Sequence, residues 1–207
     1  MSLGVIPKPL NRSQLKGGPL RPWYPHCPLC GNFSLSPFCP TCTEGLKGLK
    51  PRWDRERHLF YFADYSDLEG VLKLKYYRWG GRWFRELGRL LLRRFPKIEL
   101  DRPIFAIPID PVPRLERGFS HTALLARGLP YRPIWGLRAQ NRVHYSGQPL
   151  EFRRKNPRNF QYRGPTNCYG ILVDDISTTG LTLQEARERL EKVGVEVLFS
   201  IVIGKGG

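Results

Sequence analysis

The sequence predicts an α/β domain, a mostly parallel sheet flanked by helices, with a small cysteine-rich module at its N-terminal end. Three observations carry this. Short apolar runs of strand character alternate with stretches of helical period along residues 51–207, the order expected of a parallel sheet. Hydrophobic residues make up 41% of the 207, enough for a packed core, which excludes wholesale disorder. Four of the five cysteines fall as two C-x2-C pairs in one stretch, HCPLCGNFSLSPFCPTC.

The cysteine stretch comes first in the chain. Cys27 and Cys30 form one pair, Cys39 and Cys42 the other, with eight residues between them. That gap is shorter than the fifteen to twenty residues common in fingers. It suits a minimal ribbon over residues 23–50, two knuckle turns facing each other across a short hairpin. Each C-x2-C turns two thiolates to one side, and two such turns complete a tetrahedron around Zn2+. Gly31 suits the backbone reversal after Cys30. Four thiolates close the coordination sphere, so this zinc would hold structure and not activate water. His26 reads as a bystander and the lone Cys168 as a small buried residue.

The elements of the main domain follow in order. HLFYFADYS (58–66) is apolar and aromatic and reads as a strand. Residues 67–78 place Leu68, Val71 and Leu72 on one helical face, and Gly80-Gly81 breaks that helix. Residues 82–95 resume helical spacing with Trp83, Phe84, Leu87, Leu90 and Leu91, and Pro96 ends it. PIFAIPI (103–109) is a buried-type strand that Pro108 should stop. A polar loop follows, then a helix from Ser120, then a short strand in YRPIWG. Residues 138–166 are rich in Arg, Asn, Gln and Gly with little periodicity, and read as a functional loop. NCYGILVDD is a strand. TLQEARERLEKVG is an amphipathic helix in which Thr182 and Glu185 fit a capping box and Gly194 is the stop. VEVLFSIVI is the last strand.

Lys and Arg total 34 against 18 acids, a formal net charge of +16. So large an excess implies polyanionic partners: nucleic acid, phosphorylated small molecules or an acidic surface. No apolar run approaches the ~20 residues of a membrane span. Residues 1–22 lack the apolar core of a secretory signal and read as a flexible basic tail. The cytoplasm is then the expected compartment, where clustered cysteines more often bind metal than pair.

The run ILVDDISTTGLTL (171–183) carries the chemistry. An apolar strand ends in Asp174 and Asp175, and ligands in open α/β sheets sit beyond such strand ends. Ser177, Thr178, Thr179, Gly180, Leu181 and Thr182 then turn into a helix. Their backbone N–H groups, the hydroxyls and the helix N-terminus would converge on one anion, a monophosphate. Two carboxylates need a different target on the same ligand. Ribose hydroxyls, which donate hydrogen bonds, fit, and Mg2+ could offset the charge. A ribose 5-phosphate satisfies both ends. The Walker pattern and the dinucleotide G-x-G-x-x-G are both absent. A phosphoacceptor receiver would carry its acidic pair early in the chain, not near the end.

This run resembles the phosphoribosyl diphosphate (PRPP) motif of type I phosphoribosyltransferases. The cysteine knuckle, LKLKYYRWGGRW, IPIDPVPRLERGFSH, SGQPLEFRRKN and the C-terminal run, in that order, resemble the ComF family. Those are competence-associated, amidophosphoribosyltransferase-like proteins linked to bacterial DNA uptake. The resemblance covers roughly residues 24–205. Ser120-His121 stands where Asn-Gln is more typical of the family. The resemblance implies a type I phosphoribosyltransferase-like fold and a site for PRPP with Mg2+. Asp174 and Asp175 would hold the ribose hydroxyls, and Thr178, Thr179, Gly180 and Thr182 the 5-phosphate. Arg114 and Arg117 would contact the pyrophosphate from a loop that Gly118 lets turn sharply. Gln148, Arg153 and Asn156 would belong to a mobile lid, residues 138–166.

Two functions follow. One is Mg2+-dependent transfer of a phosphoribosyl group to a nitrogen acceptor. The other is a binding module for single-stranded DNA in natural transformation, working with competence helicase or recombination proteins. It rests on the charge, the knuckle, and Trp79, Trp83, Tyr76 and Tyr77 beside Lys73, Lys75, Arg78 and Arg82.

Overall fold

The computed structural model of the protein describes residues 25–113, 115, 118–141 and 150–206. The first cysteine pair lies in a tight turn closed by a bridge between His26 and Phe33. The second pair starts a helix, α1 (Pro40–Gly48), with Cys39 at its N-cap and Cys42 in its first turn. That half is therefore helical, where a hairpin was expected. Pro40 at the first helical position explains it: proline is pre-set for a helix start and needs no N–H partner there.

The chain then builds β1 (Arg52–Asp54), β2 (Leu59–Asp64) and α2 (Tyr65–Leu72), which tightens into a 3-10 turn over Lys73–Tyr76. α3 (Gly81–Leu87) widens into a π-helical turn over Gly88–Leu92. Next come β3 (Ile104–Pro108), α4 (His121–Ala126) and a two-residue β4 (Arg132–Pro133). β5 (Leu137–Ala139), α5 (Leu150–Lys155) and β6 (Phe160–Tyr162) occupy the stretch read as a loop. The antiparallel β5–β6 pair is too short to show a period. β7 (Cys168–Ser177), α6 (Leu181–Glu191) and β8 (Val195–Lys205) complete the chain.

The main sheet runs β1-β2-β8-β7-β3-β4, and every pairing except β1–β2 is parallel. The α/β architecture with a mostly parallel sheet is the one expected. The middles of its central strands, 171–173 in β7 and 201–203 in β8, are apolar and buried because both faces are covered. Alternate residues serve opposite clusters. Ile171, Val173, Ile201 and Ile203 pack with α2, α3 and α4, whereas Leu172 and Val202 pack with α6 and the β5–β6 pair. Cys27, Phe38 and Leu46 belong to the first of these clusters, so the cysteine module shares the core of the main sheet. Gly88 and Gly128 let two helix ends touch: a Cβ on Gly128 would lie 2.3 Å from the Gly88 carbonyl oxygen.

The expected capping box is absent. Gly180, at φ 79°, is the N-cap of α6, and no side chain caps it. Glu185 instead accepts the backbone N–H groups of Arg158 and Asn159 at 3.0 and 2.6 Å. A tertiary partner with two free amides has outcompeted the local one.

Candidate functional site

β3 and β7 are neighbours, but the chain leaves them in opposite directions, from β3 to β4 on one side and from β7 to β8 on the other. Such a reversal opens a crevice at the carboxyl ends of the two strands. A cavity of about 420 Å3 lies there. Residues 174–183 form one wall, residues 109–112 and 119–122 another, and Lys75, Asn156 and Arg158 close it. The acid pair, the six residues 177–182 and Asn156, all singled out in the sequence, thus meet around one space.

The acid pair does not end the strand. Asp174 pairs with Val202 and Ser177 with Lys205, so β7 continues past both acids. Asp174 is half-buried and Asp175 buried. The two carboxyls differ. Lys75 Nζ lies 2.7 Å from Asp175 Oδ2, and His121 Nε2 lies 3.4 Å from Oδ1. Burial alone would raise the Asp175 carboxyl, but Lys75 and then His121 outweigh it and hold it well below the usual carboxylate range. For Asp174, burial and then the neighbouring Asp175 charge push the carboxyl up to about 8. Its Oδ1 accepts the Asp175 backbone N–H at 2.8 Å.

Beyond Ser177 the backbone folds into a cradle. Gly180 takes the left-handed conformation that a Cβ would strain. α6 then begins with amides that have no partner within the helix, at the positive end of its dipole. Ser177 Oγ is buried and has no hydrogen-bond partner among the described residues. The cradle is held from behind. Arg57, in the β1–β2 connection, donates from Nη1 to the Thr178 carbonyl at 2.6 Å, and the Gly206 N–H donates to the Ser177 carbonyl at 2.8 Å. In front, Arg158 Nε reaches the Thr182 hydroxyl at 3.4 Å. This arrangement can receive an anion in the turn and a hydrogen-bond donor at Asp174.

No family model matches the chain. Competence protein F of Haemophilus influenzae is 28% identical to it over 196 aligned residues, which cover 84% of this chain and 81% of that protein. The chain is a relative of the ComF proteins. At that coverage the similarity is not confined to one motif.

In this ComF relative the four cysteine sulfurs lie within 4.8 Å of one another. Cys30 and Cys39 are 3.6 Å apart at sulfur. Tetrahedral Zn–S bonds of ~2.3 Å put neighbouring sulfurs ~3.8 Å apart, so the donor set fits zinc. Cys27, Cys39 and Cys42 are buried, and burial pushes the Cys42 thiol up, so only a bound cation would let all four ionise together. The four could hold a structural zinc.

Other expected residues fall elsewhere. Gly118 has φ 75°, as a sharp turn requires, but it does not line the cavity. Arg114, Arg117 and Gln148 lie outside the described residues, as does the side chain of Arg153, on α5. Of the basic-aromatic cluster, Trp83 is buried with its Nε1 donating to the Pro37 carbonyl, Trp79 packs on the core, and Lys75 belongs to Asp175. Tyr76 and Tyr77 remain exposed. Sequence reasoning missed Lys75 and His121 as partners of Asp175, and Arg57, Arg158 and Glu185 as supports. A lysine in a basic stretch carries no local mark of a partner 100 residues away.

Proposed function

We propose that this protein binds 5-phosphoribosyl diphosphate with Mg2+ in the β3–β7 crevice and serves DNA uptake in natural competence. One observation carries the binding half: a buried Ser177 hydroxyl with no partner among the described residues lies in a helix-N-terminal cradle three residues beyond Asp174. An anion in the cradle would satisfy that hydroxyl and the orphan amides of α6 together. A ribose attached to that anion would bring its hydroxyls to Asp174. The competence half rests on the ComF relationship.

Mg2+ would enter with the diphosphate, whose hard oxygens it prefers. When bound it would neutralise charge on the leaving diphosphate. The chain's own part is to hold the 5-phosphate by Ser177 and the amides of 178–182, to orient the ribose by Asp174, and to close the site with Asn156 and Arg158. A nitrogen nucleophile held against C1 would complete a phosphoribosyl transfer.

The test is calorimetric titration of the full chain with Mg2+-PRPP. Binding that Asp174→Ala weakens is expected; no heat at millimolar ligand would end the reading. Among the described residues no helix is long and apolar enough to cross a membrane, in keeping with a cytoplasmic place for this step.

A second reading has its own support. A net charge of +16 and the exposed Tyr76 and Tyr77 beside Lys73 and Arg78 suit single-stranded DNA, which stacks on aromatics and is tracked by cations. DNA binding that does not weaken with salt would oppose it. Helicase and recombination proteins of competence are the partners this reading implies.

A further inference from the structure

We infer that Lys75 is the built-in counter-cation of the acid pair, which commits Asp175 to structure, leaves Asp174 alone to meet the sugar, and makes the ribose end of the site independent of divalent metal. The inference rests on the phosphopentose reading of the cavity for its sugar half; the counter-ion half stands on geometry alone.

Lys75 and Asp175 form an ion pair at 2.7 Å with side chains only 16% and 5% exposed. Two adjacent carboxylates in a half-closed crevice repel each other, and a buried charge without a partner is costly. A divalent cation is the common remedy, and His121, Asp174 and Asp175 do bring three donor atoms within 4.8 Å of one another. The remedy is already present in the chain. Asp175 Oδ2 is taken by Lys75, and Oδ1 is approached by His121. A metal at this cluster would have to displace or repel an ammonium 2.7 Å from the carboxylate. Mg2+ is poorly suited to that contest, since it needs near-octahedral oxygen ligands and dehydrates reluctantly.

The lysine is held where it is. Leu72, just before the 3-10 turn, and Leu74, within it, are buried, and the Lys75 ammonium lies 5.5 Å from the Tyr76 ring centroid, within cation–π reach. Among the described residues Asp174, whose Oδ1 accepts the Asp175 N–H, is the member of the pair with no cation within ion-pair distance, and it is the carboxyl left to meet a sugar hydroxyl. Mg2+ is then required by the diphosphate and by nothing at the ribose end.

The probe is ribose 5-phosphate, which has no diphosphate. It is titrated calorimetrically into the full chain, dialysed into magnesium-free buffer without chelator so that the cysteine site is undisturbed. Wild type is expected to bind, with less than a twofold change on adding Mg2+. Lys75→Gln is expected to bind at least tenfold more weakly without metal and to recover when Mg2+ or Mn2+ is supplied. Direct Mn2+ titration, read by the loss of the free-ion electron paramagnetic resonance signal, should show one new site in Lys75→Gln that wild type lacks.

A wild type that needs Mg2+ for ribose 5-phosphate overturns the inference, and so does a Lys75→Gln protein that behaves as wild type in both titrations. If wild type does not bind ribose 5-phosphate at all, the phosphopentose reading fails, and the manganese titration alone decides the role of Lys75. Should Lys75→Gln fail to fold, Lys75→Gln/Asp175→Asn removes both charges and keeps Asp174. It is expected to bind ribose 5-phosphate without metal within about threefold of wild type, and a tenfold loss would refute the assignment of the sugar to Asp174.

Discussion

Replacing Ser177 with Ala should stabilise the empty protein and cripple the loaded one. Ser177 Oγ is buried with no partner among the described residues. A buried polar group left unsatisfied costs about 1–3 kcal/mol, so removing it should return an amount of that order. For a chain of this size each kcal/mol moves Tm by roughly 2–4 °C. A phosphate in the cradle would accept from that hydroxyl. A hydrogen bond to a charged group contributes about 1.5–3 kcal/mol, so its loss should weaken ribose 5-phosphate binding by about tenfold to a hundredfold. The opposite signs make the test sharp. Thermal unfolding of the unliganded protein is followed by calorimetry, and affinity by titration of both variants in one buffer. A Tm that falls means the hydroxyl was already satisfied. An affinity that does not change means that no anion meets it. Either result refutes the reasoning.

Three other outcomes are expected. Glu185→Gln puts an amide N–H against one of the two backbone N–H groups that Glu185 now accepts, so the Arg158 and Asn159 amides should lose hydrogen-exchange protection, at a cost of about 1.5 kcal/mol or more. The purified chain should carry one zinc per molecule by elemental analysis, and stripping it should lower Tm because Cys27, Cys39 and Cys42 share the main core; equal Tm with and without zinc would contradict this. In the folded protein Asp174 keeps its proton to about pH 8, against about 4 in the unfolded chain, so the folded state binds more protons between those values and wild-type stability falls as pH rises through them. Asp174→Asn lacks that slope, and its urea midpoint should gain on wild type between pH 5 and pH 8.

Much of the architecture was legible along the chain. The strands at 103–109 and 167–175, the final strand, the Ser120 start of α4 and the Pro108 stop all depend on local preference and burial, which neighbouring residues express. The Ser120 hydroxyl does accept the Ala123 N–H at the start of α4. Failures came where a distant partner intervened. Glu185 looked like a capping residue because sequence shows only local competition, whereas the amides of 158 and 159 lie 26 or more positions away. Trp83 and Lys75 looked like a nucleic-acid surface because a basic, aromatic stretch reads the same on either face of a helix. β5 and β6 were invisible because three-residue strands have no period to detect.

By itself the sequence determined which residue types meet a ligand: an apolar strand delivering acids, followed by small hydroxylated residues and a glycine. These are chemical requirements that hold wherever the segment is placed. The tertiary structure alone decided which of the two acids is available. Proximity to Lys75 and His121, one from each of two other segments, sets the charge on Asp175, and no pattern within 171–183 encodes what the rest of the chain packs against it.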